Sequence, residues 1–278
     1  TTKFEHHAVL EPCKFLEKNG FDITYLDVGK DGIVNPKDVK KSLKPETILV
    51  SIIYANNEIG TIQPIKEIAK VIREFKKIDG AKFFALYPPA KRGGLRRDSK
   101  FYFTDFPLFH TDACQAAGYL ELNVNKLGVD LMTINGSKIY GPKGVGVLYA
   151  KKGVKLQPIM HGGEQERKIR PGTENVAAIA GLAEALKIAD KERISEAKRL
   201  TVLRDYFIKR LTSEIPKTFL NGHSTERLPN NINVSILDAE GESIVLYLDE
   251  AGVACSTGSA CTSENLEPSH VIIAIGRP

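Results

Sequence analysis

The 278-residue sequence lacks the features that mark several classes of protein. No run of apolar residues approaches the roughly 20 that a membrane-spanning helix needs, and the first residues, TTKFEHHAVL, have neither the signal-peptide nor the transit-peptide pattern. The four cysteines form no CxxC pair and no zinc pattern with histidine. We therefore expect no membrane span, no metal site, and free thiols in a reducing cytoplasm.

The sequence also lacks a large excess of charge of either sign, since it has 39 Lys and Arg and 34 Asp and Glu, for a net charge of +5. Most of this excess lies in KRGGLRRDSK, residues 91–100, which holds five basic residues and one acid. Outside this segment basic and acidic residues nearly balance, so we expect no nucleic-acid-binding face. The segment is either a solvated loop, which is the usual state of a charge block, or a docking surface for an acidic partner.

What the sequence does contain is a regular alternation of short apolar segments with helical patterns. Helices are predicted at HHAVLEPCKFLEKNG, PKDVKKSL and PIKEIAKVIREFKK, and strands at FDITYLDV, TILVSIIYA, LFHTDA, DLMTI and GVGVLYA. Short buried strands separated by helices are typical of an α/β fold with a mostly parallel sheet and helices on its faces.

Two changes in this rhythm suggest the domain organisation. Residues 79–109 mix aromatics, Pro-Pro, Gly-Gly and charge without a period, which indicates an insertion. From residue 174 a pair of long helices is predicted, followed by short strands, a helix and the small-residue loop CSTGSACTSEN. We predict a large domain over 1–193 and a smaller C-terminal α+β domain over 194–278.

Polar residues follow three of the predicted strands, where a parallel sheet binds its ligands. They are Asn56 and Asn57, then His110, Asp112 and Gln115, then Asn135, Ser137 and Lys138. Each has an ordinary structural alternative. Asp112 could cap a helix beginning at Ala113, the asparagine pair could form a turn, and the lysine could be a solvated loop charge.

An acid facing a lysine suits pyridoxal phosphate. The amine of Lys138 would form an imine with the aldehyde, and the carboxylate of Asp112 would keep the pyridine nitrogen protonated, so that the ring accepts electrons. Gln115 would lie on the same helical face as Asp112 and could donate to the phenolate oxygen.

Six blocks, in order, resemble the signatures of the cysteine desulfurases, which are fold-type-I pyridoxal-phosphate enzymes. They are EHHAVL, SIIYANNEIGTIQPI, HTDACQAAG, NGSKIYGPKGVGVLY, HGGEQERKIRPGTENV and STGSACTSENLEPSHV. The resemblance implies conversion of L-cysteine to L-alanine, with the sulfur left as an enzyme persulfide for iron–sulfur cluster assembly or tRNA thiolation. It also implies a homodimer and a sulfur-acceptor protein such as an iron–sulfur scaffold.

The resemblance assigns the cofactor contacts residue by residue. Lys138 matches the imine-forming lysine, and Lys143 matches a second, structural lysine. Asp112 matches the partner of the pyridine nitrogen, and Gln115 the residue at the phenolate oxygen. His6 matches the imidazole that stacks over the ring and takes part in proton transfer, which leaves His7 without a role; the alternative for His6 is a histidine that only caps its helix.

The remaining assignments concern substrate, phosphate and sulfur. Asn57 matches a residue that touches the cofactor or the substrate carboxylate, and Thr173 matches one that reaches the cofactor phosphate of the opposite subunit. Cys261 matches the nucleophile, and the small residues around it are typical of a mobile loop. Because only a thiolate is nucleophilic, Cys261 needs a base such as His6 or the adduct itself.

The other three cysteines have structural interpretations. We expect Cys255 to be buried at a strand end, Cys13 to pack within an amphipathic helix, and Cys114 to point away from the cofactor ring.

The sequence departs from the family at two places. Asn135-Gly136-Ser137-Lys138 stands where the family commonly has Ser-Gly-His-Lys, so we expect weaker phosphate binding. The family's opening Asp-Asn-Ala-Thr strand, its Thr-Glu-Ser-Asn-Asn phosphate loop and its closing Arg-Phe-Ser segment are absent, so we expect a fragment of a longer protein. Arg167 and Arg170 are further candidates for anion contacts.

Two other functions stay open at this point. One is a related fold-type-I enzyme, such as a selenocysteine lyase or a transaminase, although a transaminase does not need the cysteine of GSAC. The other is a catalytically silent relative that serves as a scaffold, which the missing phosphate loop suggests.

Overall fold

The computed structural model describes residues 1–86, 106–257 and 268–277. Cys261 and the basic segment 91–100 lie outside these residues, and so does most of the predicted insertion at 79–109. No helix within the described ranges combines the length and the apolar character needed to cross a membrane.

The elements alternate as the sequence predicts for an α/β protein. The helices are α1 (His7–Lys18), α2 (Pro36–Ser42), α3 (Ile65–Leu86), α4 (Val124–Leu127), α5 (Gln165–Lys168), α6 (Val176–Glu214), α7 (Gly241–Glu250) and α8 (His270–Ala274). The strands are β1 (Leu49–Ile53), β2 (Leu108–Asp112), β3 (Leu131–Asn135), β4 (Gly146–Ala150), β5 (Thr218–Leu220) and β6 (Val234–Ile236).

Four strands form one sheet in the order β1-β2-β3-β4. Strands β2 and β3 run parallel, whereas β4 returns antiparallel to β3 after the glycine-rich turn. Helix α3 lies against β2 and α4, and its buried face carries Ile68 and Ile72, as its helical spacing predicts. This arrangement brings the carboxyl ends of β2 and β3 to one edge of the sheet.

Two predicted elements differ in the structure. Residues 21–28 were predicted as a strand. In the structure Leu26 makes only an isolated parallel bridge with Thr2. The predicted pair of long helices is one continuous helix of 39 residues, α6. No Gly or Pro occurs between residues 182 and 214, so the helix has nothing to end it there.

The chain divides into two compact units. One contains 1–39, 51–64 and 192–278, and the other contains 40–50 and 65–191. Helix α6 passes from one to the other at residues 191–192 without a break. The division into domains 1–193 and 194–278 stays a prediction, since the compact units group the first residues with the last.

Candidate active site

Parallel pairing aligns the ends of β2 and β3, which carry most of the predicted cofactor residues. Asp112 is the register partner of Thr133, and the amide of Ala113 donates to the carbonyl of Thr133 at 2.9 Å. Asp112 is only 7% exposed. The prediction that an acid lies at the edge of the sheet beside the strand leading to Lys138 is therefore correct in geometry.

Asp112 bonds the backbone two residues on, as a cap would, but the helix that its structural alternative predicted from Ala113 does not form. Its Oδ1 accepts a hydrogen bond from the amide of Cys114 at 2.9 Å. The residues that follow form turns rather than a helix, closed by bonds from Ala116 and Ala117 to the carbonyl of Ala113. Gln115 is half-buried on these turns. The prediction that it shares a helical face with Asp112 is therefore wrong, whereas its role at the phenolate oxygen stays a prediction.

The thiol of Cys114 lies beside this acid. Its Sγ is 3.9 Å from the carbonyl oxygen of Thr133. Burial raises the pKa of the Cys114 thiol, the negative charge of Asp112 raises it further, and the positive charge of Lys138 opposes both. The register pairing of Asp112 with Thr133 brings the turns that bear Asp112 and Lys138 to the same edge of the sheet.

His110 lies two residues before Asp112 on the same strand. Its Nε2 is 2.9 Å from the Oγ1 of Thr133. Burial lowers the pKa of the His110 imidazole, and the charge of Asp112 only partly offsets this effect. The ring is therefore held neutral and bonded to the neighbouring strand, which is a structural role.

Lys138 lies on a one-turn 3₁₀ helix, Gly136–Ile139, that begins directly after β3. Asn135 caps this turn, and its Oδ1 accepts from both the amide and the hydroxyl of Ser137 at 2.9 Å. The turn ends at Tyr140, whose left-handed φ of 61° is unusual for a residue with a side chain. Lys138 is exposed, so its amine is accessible at the edge of the sheet.

Lys143 is also exposed, so exposure alone does not separate the two lysines. The difference between them is position. Lys138 lies on the short helix that directly follows β3, and its charge opposes the rise in the pKa of the Cys114 thiol, whereas Lys143 lies three residues before β4 begins.

Glycines let the lysine turn fold back tightly on itself. A Cβ at Gly136 would lie 3.0 Å from the carbonyl oxygens of Pro142 and Val145, and one at Gly146 would lie 2.9 Å from that of Ile134. On the other side, a Cβ at Gly181 of α6 would lie 2.7 Å from the Cγ of Pro142. Contacts with the backbone and the proline ring therefore fix the position of this turn.

Thr173 is exposed in the loop that precedes α6. The loop is closed by the amide of Gly172, which donates to Oε1 of Gln165 at 3.2 Å. The Nη1 of Arg170 donates to the carbonyls of Pro171 and Gly172, both at 3.1 Å. Arg170 thus stabilises its own loop, and its role as an anion contact stays a prediction, as does that of Arg167.

In the other unit, His6 caps α1 with its side chain. Its Nδ1 accepts a hydrogen bond from the amide of Ala8 at 3.1 Å. A neutral imidazole has one donor and one acceptor nitrogen, so this bond assigns the proton of the neutral ring to Nε2. The capping alternative is correct in geometry, and it leaves an N–H at the other end of the ring.

The chain around His6 is held firmly. The Nδ2 of Asn56 donates to the carbonyl of Phe4 at 2.9 Å, and the Oε1 of Glu5 accepts from the amide of Ile53 at 3.0 Å. Glu5 is fully buried. His7, which was expected to have no role, packs against His270 with their ring centroids 4.7 Å apart.

The two asparagines that follow β1 have different surroundings. Asn56 is fully buried and its Oδ1 accepts from the amides of Glu58 and Ile59 at 2.9 and 3.0 Å, which is the turn predicted for the pair. The Oδ1 of Asn57 is buried and has no hydrogen-bond partner among the described residues. Since buried acceptors are almost always satisfied, this atom is suited to accept a hydrogen bond from a bound molecule.

Three cysteines fall within the described residues. Cys255 is exposed, so the expectation of a buried residue at a strand end is wrong: it lies in the irregular segment after α7. Cys13 is half-buried on α1, and burial raises the pKa of its thiol. No cluster of three or more His, Cys, Asp or Glu with the geometry to hold a metal ion occurs in the described ranges.

Sequence reasoning missed three residues that make hydrogen bonds beside His6 and Asn57. They are Glu58, Ser269 and His270. Ser269 could have been found as a helix cap, because it follows proline and precedes the apolar run HVIIA. The long-range partners of Ser269 and His270 leave no signal in a single sequence.

The fold and the clustered side chains agree with comparisons to known proteins. The aminotransferase class-V family model matches residues 1–83 and 107–277. The chain therefore belongs to the class-V aminotransferase family.

Cysteine desulfurases are among the relatives that match. Cysteine desulfurase IscS of Dictyoglomus turgidum is 51% identical over 278 residues, which cover 100% of this chain and 63% of that protein. The chain thus spans less than two thirds of that relative's length.

Solved structures give the same result. A NifS-like protein superposes with a TM-score of 0.82 at 32% identity, covering 100% of this chain and 65% of that one. SspA in complex with cysteine superposes with a TM-score of 0.74 at 30% identity, covering 100% of this chain and 68% of that one. The predicted resemblance to cysteine desulfurases and the predicted fold-type-I α/β fold are confirmed.

Proposed function

We propose that the protein to which this chain belongs is a pyridoxal-phosphate-dependent cysteine desulfurase. It would convert L-cysteine to L-alanine and leave the sulfur as a persulfide for a sulfur-acceptor protein, such as an iron–sulfur scaffold, or for tRNA thiolation. The observation that carries the proposal is the pairing of Asp112 with Thr133, which puts a buried acid beside the turn of Lys138. The 51% identity to a cysteine desulfurase supports it.

The residues at the sheet edge fit the cofactor. When bound, pyridoxal phosphate supplies an aldehyde for an amine and a protonated ring that accepts electrons. Lys138 would hold it covalently through its exposed amine, and the buried carboxylate of Asp112 would accept a hydrogen bond from the pyridine N–H. Gln115 would donate to the phenolate oxygen.

Phosphate binding is proposed for three groups. The hydroxyl of Ser137 and the side chain of Asn135 would donate to the phosphate, and for this they must give up the bond between them. Thr173 would serve the cofactor of the opposite subunit in a homodimer, and its exposure is consistent with that role.

Further roles are proposed for His6 and Asn57. With its Nδ1 accepting from the amide of Ala8, the neutral ring of His6 would donate a hydrogen bond from Nε2 to the bound molecule. Acting as a base at Nε2 would require the opposite tautomer, and hence the loss of that cap. The unpartnered Oδ1 of Asn57 would accept a hydrogen bond from the cofactor or the substrate.

Sulfur transfer is proposed for Cys261, which lies outside the described residues. Its thiolate would form a bond to the substrate sulfur as the carbon–sulfur bond breaks. The electron pair of that bond would stay with the three-carbon skeleton, which takes up a proton and leaves as alanine. A thiol that cycles in this way needs a reducing compartment, so we place the protein in the cytoplasm.

The test is the release of alanine and sulfide from L-cysteine by the full-length protein, with added pyridoxal phosphate and a thiol reductant. We expect Cys261→Ser to keep the visible absorbance of the bound cofactor and to release no sulfide, and Cys255→Ser to keep both. If Cys255→Ser alone abolished sulfide release, the nucleophile would be misassigned. Turnover of selenocysteine but not cysteine would indicate a selenocysteine lyase, and no cofactor absorbance would indicate a silent scaffold.

A further inference from the structure

The dipeptide Ser269-His270, at the start of α8, bonds to two distant parts of its own unit. The Oγ of Ser269 caps the helix by accepting from the amide of Val271 at 3.1 Å, and the same hydroxyl donates to the carboxylate of Glu58. The Nε2 of His270 lies 2.9 Å from the carbonyl oxygen of Glu5. Because a carbonyl only accepts, Nε2 of His270 is the donor.

Each of these bonds ends one residue away from a residue with a proposed function. Glu5 precedes His6, and Glu58 follows Asn57. Both acceptors belong to buried residues, since Glu5 is 0% and Glu58 5% exposed. Bonds to such groups are maintained, because a buried polar group left without a partner loses its interaction with water and gains nothing in return.

The bond to Glu5 bears on the direction of the His6 ring. The peptide that joins Glu5 to His6 has its carbonyl held by His270, and the ring itself is held by the amide of Ala8. If the peptide rotated, Nδ1 would move away from that amide, and the tautomer would no longer be fixed. The orientation of His6 therefore depends on a residue 264 positions later in the chain.

The bond to Glu58 bears on Asn57 in the same way. Backbone atoms of Glu58 are held by Asn56 Oδ1 at its amide and by Asn231 Nδ2 at its carbonyl, at 2.9 and 2.8 Å. The hydroxyl of Ser269 holds its side chain. Residue 57 is thus followed by a residue that is fixed at three points.

We propose that Ser269 and His270 are positioning residues, His270 for the imidazole of His6 and Ser269 for the side chain of Asn57. Their catalytic consequence rests on the proposed function, whereas the orientation of His6 does not. Neither residue touches the reacting atoms in this proposal.

The first experiment measures the His6 tautomer directly. In the full-length protein labelled with ¹⁵N-histidine, the ring-nitrogen shifts of His6 should show a proton on Nε2. His270→Leu should give a mixture of tautomers. His270→Gln should restore the single form, because its amide can donate to Glu5. His223→Gln, a histidine of the same unit that accepts from the amides of Thr225 and Glu226, should leave His6 unchanged.

Unchanged His6 shifts in a folded His270→Leu protein would overturn the proposal for His270. If His270→Leu does not fold, the comparison passes to His270→Gln: a single Nε2–H tautomer supports the proposal, and a mixture contradicts it.

The second experiment separates the two residues by kinetics. His270→Leu should lower kcat for alanine formation about tenfold with little change in KM, since a misplaced proton-transfer group loses part of its contribution. Ser269→Ala should raise KM for cysteine instead, and Ser269→Thr should restore it. Equal effects of both variants on kcat and KM would indicate a general loss of structure and sink the assignment. If the unsubstituted protein released no alanine, the proposed function would fail while the tautomer measurement still tested His270.

Discussion

The two groups of candidate residues are held in place by different kinds of contact. The hydrogen bonds within the lysine turn and within the turn after Asp112 join neighbours in the sequence, since Asn135 bonds Ser137 and Asp112 bonds the amide of Cys114, each two residues on. The segment around His6 is fixed by distant residues, with partners 48 positions away at Ile53 and 265 positions from Glu5 at His270. A local turn needs only its own residues, whereas the His6 segment needs its whole unit to be folded.

The largest effect is expected from removing the amine of Lys138, on the turn held by local hydrogen bonds. Lys138→Ala should abolish the visible absorbance of the bound cofactor, because it removes the amine that holds it. Lys143→Ala is the matched control and should keep the absorbance. A spectrum of each purified full-length variant decides between them, and colour lost with Lys143 rather than Lys138 would reverse the assignment.

The next effect compares an asparagine from each group. Asn56→Ala should lower the free energy of unfolding by about 3 kcal/mol, because a buried residue loses three hydrogen bonds. Asn135→Ala should lower it by about 1 kcal/mol, the usual loss for a helix cap. Urea unfolding of both variants measures the difference, and equal losses would contradict the distinction between long-range and local stabilisation.

A smaller effect is expected on the reactivity of the Cys114 thiol, which the charges of Asp112 and Lys138 influence. Burial and Asp112 raise the pKa of Cys114 and Lys138 lowers it, so at neutral and mildly alkaline pH the thiol is protonated and slow to alkylate. Asp112→Asn should speed its alkylation, and Lys138→Gln should slow it. Peptide mass spectrometry after iodoacetamide treatment gives both rates, and a change in the same direction for both variants would refute the electrostatic account.

The smallest effect is expected at the exposed hydroxyl of the lysine turn. Ser137→Ala should change the free energy of unfolding by less than about 0.5 kcal/mol, because the residue is exposed and the amide still bonds Asn135. Cofactor affinity should nevertheless fall, since the proposal makes this hydroxyl a phosphate donor. Titration with pyridoxal phosphate measures it, and unchanged affinity would remove Ser137 from the site.

The same contrast explains what the sequence could predict. Strands β2, β3 and β4 and the cap of α1 were predicted, because apolar runs and turn residues act over a few positions. The roles of Glu58, Ser269 and His270 were missed, because their bonds join segments more than 200 residues apart. The single helix α6 was predicted as two helices, although no Gly or Pro occurs between residues 182 and 214 to separate them.

Two inferences from the sequence about where candidate site residues lie have different outcomes. The edge of the sheet did bring Asp112 and the Lys138 turn together, which simple strand order predicts. The position of Gln115 on a helical face was wrong, because the residues after Asp112 close separate turns and Gly118 lies among them.

Gly136 and Gly146 lie so close to neighbouring carbonyl oxygens that a side chain would not fit at either position. This predicts which positions of the lysine turn tolerate substitution. In a library covering residues 133–149, side chains at 137 and 143 should vary freely without unfolding the chain, whereas every replacement at 136 and 146 should deplete folded protein. Natural variants of this turn would then change its chemistry through the outward positions while its shape stays the same.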